Sequence, residues 1–149
     1  MTPASPGTTE LGSSECLALL GRQEVGRLAV SISSLPDIFP INFVVDRGCV
    51  VFRTAAGTKL AASVLGRRVA FEVDGVDETA GEAWSVIVKG RAVELQRMHE
   101  RSAAARLPLF PWHASPKHRF LRIDPAQITG RRFTIVGPDR WSDPIGDRS

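Results

Sequence analysis

The residues best suited to chemistry form a run of cations with no acid among them. Between Asp46 and Glu72 there is no Asp or Glu, whereas five positive side chains occur: Arg47, Arg53, Lys59, Arg67 and Arg68. Within this window Arg53-Thr54 ends an apolar, β-type run and Gly57-Thr58-Lys59 opens a short helical one. Free backbone N–H groups at a helix start, a hydroxyl, an ammonium and a guanidinium together can bind a phosphate. The window predicts an anion site, with solvated charges around an ordinary turn as the alternative.

The histidines and cysteines have simpler interpretations. His99, His113 and His118 lack the spacing of a metal site and are predicted to be surface residues, with a role near a cofactor left open for His113 and His118. Cys16 and Cys49 show no Cys-x-x-Cys spacing. They are therefore predicted to be free, reduced thiols that pack as small apolar residues.

Short strands separated by turns account for most of the sequence. Alternating apolar residues predict a strand from Gly26 to Ile32, followed by a turn at Pro36-Asp37. A tight turn at Arg47-Gly48 then joins two β-branched runs. These and the later strands are predicted over Ile41 to Asp46, Cys49 to Arg53, Val69 to Val73, Ala83 to Leu95, Arg119 to Ile123 and Ile128 to Val136. The order of elements lacks the strand–helix alternation of a doubly wound sheet.

Three short helices interrupt the strands. Ser13 or Ser14 is predicted to cap the first helix, which ends near Gly21. Thr58 is predicted to cap the second, which Gly66 terminates, and a polar helix is predicted over Arg97 to Leu107. The acids between Asp74 and Glu82 alternate with glycine and threonine, which is typical of a solvated hairpin loop rather than a carboxylate site. Trp112 is predicted to pack across a barrel mouth or against a partner chain.

Length and composition are those of one globular domain. The chain has 149 residues, of which 43% are hydrophobic. Residues 1–12 and 137–149 are predicted to be a disordered leader and a flexible tail, which leaves a folded domain over 13–136. The formal net charge is +3 without a Lys/Arg-rich run, so nucleic acid is not an expected partner. Neither a signal peptide nor a membrane span is predicted, and we expect a cytoplasmic protein.

The order of several segments resembles the flavin-phosphate section of the pyridoxamine 5′-phosphate oxidase-like family. These segments are Pro40-Ile41-Asn42-Phe43-Val44-Val45, Val51-Phe52-Arg53-Thr54 and Gly57-Thr58-Lys59-Leu60. Downstream, Val69 to Asp74 and Ala83 to Ala92 are similar to the next two barrel strands of the family, and Ile128 to Phe133 is similar to its closing strand. The resemblance covers about residues 16–133, and its specificity lies in the order and spacing of the segments.

The resemblance implies a mainly β protein with few helices, a homodimer of six-stranded antiparallel split β-barrels of the FMN-binding type. FMN would lie in clefts at the dimer interface. Arg53, Thr58 and Lys59 take the positions of phosphate ligands, with Thr54 beside them. The flavin ring would be lined by the strand that carries Ile41, Asn42, Phe43 and Val44, and approached from the other side by Trp84 and Ser85.

Two departures separate the chain from the true vitamin B6 oxidases. Pro40 stands where those enzymes have a basic residue, and their C-terminal Arg-rich section for the substrate phosphate has no convincing copy here. The chain instead resembles the small single-domain branch that includes nitroimidazole-resistance proteins and mycobacterial flavin- or deazaflavin-binding oxidoreductases.

The implied function is an FMN-dependent oxidoreductase that passes hydride or electrons between a nicotinamide donor and a small or aromatic acceptor. A reductase that depends on the deazaflavin coenzyme is one alternative, and a non-catalytic module that binds flavin or haem is another. No catalytic side chain is assigned, because the cofactor would carry the hydride chemistry itself.

Overall fold

A computed structural model of the chain describes residues 7–55, 57–109 and 118–135. Seven strands and three helices occur in this part of the chain. In chain order they are β1 (Thr8–Leu11), α1 (Ser13–Leu20), β2 (Val25–Ile32), β3 (Leu35–Asp46), β4 (Cys49–Ala55), α2 (Lys59–Val64), β5 (Arg68–Asp77), β6 (Glu82–Glu94), α3 (Met98–Ala105) and β7 (His118–Thr134).

Six of the strands close into a ring, and every strand pair in the described part of the chain is antiparallel. The order is β7-β4-β3-β2-β5-β6, and β6 pairs again with β7. The first part of β7 pairs with β4 from His118 to Ile123, while β6 follows β7 from Leu121 to Thr134. The last part of β7, which β4 does not reach, pairs with β1 instead. The mainly β split barrel expected from the sequence is therefore confirmed.

Side chains that alternate along the strands fill the barrel. The largest fully buried ones include Phe52, Phe71, Leu28, Leu121 and Ile123, and each such side chain stabilises the fold by roughly 1.5–3 kcal/mol. Helix α1 adds Cys16, Leu19 and Leu20 to the same core. A second, smaller cluster lies on the outer side of the barrel, where α3 and the residues after it cover β4 and β7; its buried members are Val51, Leu95, Ala104, Leu109 and Phe120.

The first hairpin turn lies three residues earlier than the sequence predicts. Ser33 and Ser34 have φ angles of 50° and 66°, as in a two-residue hairpin turn, and Pro36-Asp37 lies inside β3 instead. Proline is tolerated there because β3 pairs with β2 over Leu35–Asn42 but with β4 only over Phe43–Asp46. One edge of the first part of β3 therefore needs no backbone donors.

The last two predicted strands form a single strand, β7. Lys89 faces Gln127 and Gly90 faces Pro125, so Ala126 is an extra residue at a β-bulge. A bulge accommodates the missing N–H group of Pro125, which is why the strand continues through a sequence that looks like an interruption.

The prediction of a disordered leader is wrong for residues 8–11, which form β1. This strand pairs residue by residue with Gly130–Phe133, and such long-range pairing leaves no local signal in a polar segment. The cap of α1 is also different, because Gly12 rather than a serine occupies the N-cap position.

Other local predictions are confirmed. The Arg47-Gly48 turn has φ angles of 50° and 78°, and the Thr58 side chain caps α2 by accepting a hydrogen bond from Ala61 N. The hairpin loop is also present but shorter than predicted: Asp74 and Asp77 belong to β5 and Glu82 begins β6, so Glu78 is the predicted acid that lies in the loop. Trp112, His113 and the predicted tail lie outside the described residues.

Candidate functional site

Arg53 occupies a half-buried position on the outer face of the barrel. In β4, Val50 and Phe52 point into the core, so Arg53 points outward beside the smaller apolar cluster. Its guanidinium carbon lies 5.1 Å from the centre of the Phe120 ring, and Nη1 donates a hydrogen bond to the Leu109 carbonyl at 3.2 Å.

One hydrogen-bond donor of Arg53 is unpaired in the part of the chain that the structure describes. Its Nε atom is buried and has no hydrogen-bond partner among the described residues. A buried donor without an acceptor is costly, and Arg53 is thus the side chain of the site that is best suited to an anion.

Two threonines attach the start of α2 to the end of β4. The Thr58 hydroxyl accepts a hydrogen bond from Ala61 N at 3.2 Å, donates one to the Ala55 carbonyl at 2.9 Å, and lies 2.9 Å from the Thr54 hydroxyl. These contacts already use the Thr58 proton. Thr54 and Thr58 therefore position the connection between β4 and α2. Because Ala61 N already donates to Thr58, the donors of the first turn that have no acceptor inside the helix are the N–H groups of Lys59 and Leu60.

Lys59 is paired with an acid that the sequence window does not contain. Its Nζ atom lies 3.1 Å from Oδ2 of Asp37 on β3, and the Lys59 side chain is 78% exposed. The sequence between Asp46 and Glu72 contains no acid, but in the folded chain Asp37, from outside this segment, lies beside Lys59.

The five cations of the window lie at different places on the barrel. Arg47 lies in the turn at the opposite end of β4 from Thr54. Arg68 begins β5, where it pairs with Arg91 of β6. Only Arg53 and Lys59 flank the connection between β4 and α2.

The predicted flavin-lining segment of β3 divides between two faces. The Ile41 and Phe43 side chains belong to the barrel core, so only their backbone can reach a ligand on the outer face. Phe43 pairs with Phe52, and strand alternation then places Asn42 and Val44 on the same outer face as Arg53. Of the four predicted residues, Asn42 and Val44 can present side chains there.

Trp84 and Ser85 lie on opposite faces of β6. Trp84 is only 7% exposed and belongs to the core, where its indole covers Gly75: a Cβ atom added there would lie 2.6 Å from Cζ2 of Trp84. Ser85 points outward and lines a cleft of about 390 Å³, together with Glu10, Ile87 and Arg131 among others.

Within one chain, Ser85 and Arg53 pair with distant positions along β7. Arg53 pairs with Phe120 and Ser85 pairs with Arg131, eleven positions farther along β7. At a rise of about 3.3 Å per residue this is roughly 36 Å of strand. The structure therefore brings Arg53, Thr54, Thr58 and Lys59 together, with Asn42 and Val44 on the neighbouring strand, and leaves Ser85 elsewhere.

A charged cluster borders the cleft at Ser85. Arg27 Nε donates a hydrogen bond to Glu72 at 2.9 Å, and Arg27 Nη2 donates one to Asp74 at 2.8 Å. Burial raises the pKa of the Glu72 carboxyl, and the neighbouring Asp74 raises it further. Because Asp74 of β5 pairs with Ser85 of β6, Glu72 and Asp74 lie on the same outer face of the barrel as Ser85.

The cysteines have the environment of structural thiols. Burial raises the pKa of both Cys16 and Cys49, which disfavours the reactive thiolate. His99 is exposed. No group of three or more His, Cys, Asp or Glu residues that could hold a metal ion occurs in the described ranges, and no helix in them is long and apolar enough to cross a membrane.

Sequence reasoning missed Asp37, Leu109 and Phe120 as parts of this site. Phe120 reaches Arg53 through the register of β4 with β7, and Leu109 contributes a backbone carbonyl, which any residue type could supply. The sequence predicts a turn at Pro36-Asp37, whereas Asp37 lies inside β3. The length of the β2–β3 hairpin brings Asp37 to Lys59. The sequence feature that could have indicated this length is the pair Ser33-Ser34, which forms the hairpin turn.

Comparison with known proteins adds independent findings. The sequence model of the family described as pyridoxamine 5′-phosphate oxidase matches residues 12–132. An uncharacterized protein of Mycobacterium tuberculosis is 46% identical over 90 residues, which cover 60% of this chain and 79% of the relative.

Solved structures are similar to this chain as well. The FAD binding protein from Mycobacterium smegmatis is similar at 41% identity with a TM-score of 0.79, and the match covers 86% of this chain and 100% of that one. The FAD and haem binding protein from the same organism has a TM-score of 0.67 at 13% identity, covering 90% of this chain and 78% of that one. That second likeness concerns the fold alone.

Proposed function

The chain belongs to the pyridoxamine 5′-phosphate oxidase family, and from this membership we propose that it is a flavin-dependent oxidoreductase. It would use a nicotinamide donor and a small or aromatic acceptor. The observation that carries the proposal is the half-buried Arg53, whose Nε has no partner in the described part of the chain. FMN is the flavin predicted from the sequence. FAD is a second candidate, because the M. smegmatis relative at 41% identity is an FAD binding protein.

The residues around Arg53 fit a flavin phosphate. Arg53 provides a charge that is oriented by the Leu109 carbonyl and the Phe120 ring. Lys59 provides an exposed ammonium that can turn toward a ligand, and Thr54 and Thr58 hold the first turn of α2 in place. A bound flavin would supply the hydride and electron transfer, while Asn42 and Val44 would contact it and exclude water from the outer face of β3.

A homodimer completes this proposal. Ser85 and its cleft lie opposite a part of β7 that is eleven positions from the partner of Arg53. A second copy of the chain can present its own Ser85 strand to that ligand, as the family resemblance implies. The cleft and the charges beside it, Arg131 and Asp74, would then lie at the interface.

The test is a fluorescence titration with FMN, FAD and the deazaflavin coenzyme. Arg53→Gln should weaken binding of the preferred flavin by a factor of about ten to one hundred, because a hydrogen bond to a charged group contributes about 1.5–3 kcal/mol. Arg68→Gln removes an exposed arginine that lies outside this site and serves as the control. Circular dichroism checks that both variants are folded.

The outcomes separate the alternatives. Equal affinities of wild type and Arg53→Gln would contradict the site assignment. Tight binding of the deazaflavin coenzyme alone would favour the deazaflavin-dependent reductase. A bound flavin that neither NADH nor NADPH reduces would favour the non-catalytic module.

A further inference from the structure

The Arg53 guanidinium is held by two neighbours that are distant in the sequence. Arg53 of β4 and Phe120 of β7 lie directly opposite each other in their antiparallel pair, so their side chains project from the same face of the sheet. The guanidinium carbon lies 5.1 Å from the centre of the Phe120 ring, inside the limit of about 6 Å for a cation–π contact. Nη1 donates a hydrogen bond to the Leu109 carbonyl at 3.2 Å. The ring therefore covers the guanidinium while the carbonyl holds one of its nitrogens.

The Phe120 ring is itself fixed by the fold. Phe120 is only 6% exposed and packs in the smaller apolar cluster with Val51, Leu95 and Leu109. Its carbonyl accepts a hydrogen bond from Leu95 N at 2.9 Å, on the side of the strand away from Arg53. The contacts that hold the ring in place therefore involve no ligand.

Such fixation matters for an arginine that binds an anion. A free arginine side chain loses rotamer freedom when it binds, and this loss weakens the binding. A planar guanidinium that already rests on a ring and a carbonyl has less freedom to lose. The same two contacts also limit the directions in which its N–H groups can point.

We propose that Phe120 is a positioning residue for the flavin phosphate: its ring keeps the Arg53 guanidinium in the orientation that binds the phosphate. Phe120 acts through Arg53 and contributes no hydrogen bond to the ligand. This inference rests on the proposed flavin site at Arg53 and adds to it a residue on which the strength of that site depends.

The experiment compares FMN with riboflavin, which lacks the phosphate and is otherwise the same molecule. The ratio of the two dissociation constants, riboflavin over FMN, measures what the phosphate adds to the affinity. Phe120→Leu removes the ring and keeps an apolar side chain. It should lower this ratio roughly fivefold, as expected for the loss of a cation–π contact, and leave the riboflavin affinity unchanged. Phe120→Tyr keeps the ring and should keep the wild-type ratio.

A double-mutant cycle tests whether Phe120 acts through Arg53. In the Arg53→Gln background, Phe120→Leu should not lower the ratio further, because the group that the ring orients is absent. Leu95→Val is the matched control, since it removes one methylene from the same apolar cluster and leaves the ring in place. It should lower the Tm and keep the wild-type ratio.

The outcomes separate the inference from the proposed function. An unchanged ratio in Phe120→Leu, or additive effects of Phe120→Leu and Arg53→Gln, would overturn the inference alone. An equal loss in Leu95→Val would also overturn it, because loosening of the cluster rather than loss of the ring would then be the cause. A wild-type protein that binds FMN no more tightly than riboflavin would overturn the phosphate site at Arg53 together with the inference.

Discussion

Gly90 lies where the barrel closes, and its replacement tests that closure. In the bulged pairing of β6 with β7, a Cβ atom added to Gly90 would lie 2.0 Å from the carbonyl oxygen of Asp124 and 3.0 Å from Cα of Pro125. Both neighbours are backbone atoms, so no side chain can rotate away. The two strands would have to separate by about 1.4 Å to bring the Asp124 oxygen to an ordinary contact distance of 3.4 Å.

The cost of Gly90→Ala follows from this displacement. Overpacking of a tight contact costs typically 1–3 kcal/mol, and a backbone neighbour places the change at the upper end. For a chain of this size 1 kcal/mol lowers the unfolding midpoint by roughly 2–4 °C. We therefore expect a decrease of about 6–12 °C in Tm.

Thermal unfolding followed by circular dichroism measures the effect, with Gly21→Ala as the matched control. At Gly21 the added Cβ would lie 3.5 Å from its nearest neighbour, and its φ of −64° suits alanine. Gly21→Ala should unfold near the wild-type temperature. If Gly90→Ala does so as well, the close approach of β6 and β7 at the bulge is incorrect.

Two other predictions concern the outer face. Because the pKa of Glu72 is raised in the folded protein, its contribution to stability is complete below the unfolded value of about 4.3 and is lost as pH rises through the folded value. The Tm of wild type minus that of Glu72→Gln should therefore fall as the pH rises above about 4.3, and a constant difference would contradict the assignment. Sedimentation at micromolar concentration should give about twice the 16.2 kDa of one chain; a monomer that binds flavin with full affinity would refute the shared site.

The sequence by itself determined the local structure around the site. Alternating apolar residues marked the strands, because a half-buried strand exposes every second side chain to the core. The Arg47-Gly48 turn and the Thr58 cap were predictable for the same reason: each depends on a few adjacent residues. The family resemblance then linked these elements in the correct order, and the barrel is confirmed.

Only the tertiary structure decided which groups meet. The register of β4 with β7 places Phe120 beside Arg53, and the length of the β2–β3 hairpin brings Asp37 to Lys59. Strand pairing also decides that Trp84 points into the core while Ser85 lies on the outer face of β6. It likewise decides that Ser85 and Arg53 pair with distant positions along β7. Pairing joins residues that are far apart in the chain, and a shift of one residue would turn every side chain to the other face. The acid-free window of the sequence is therefore not an acid-free site.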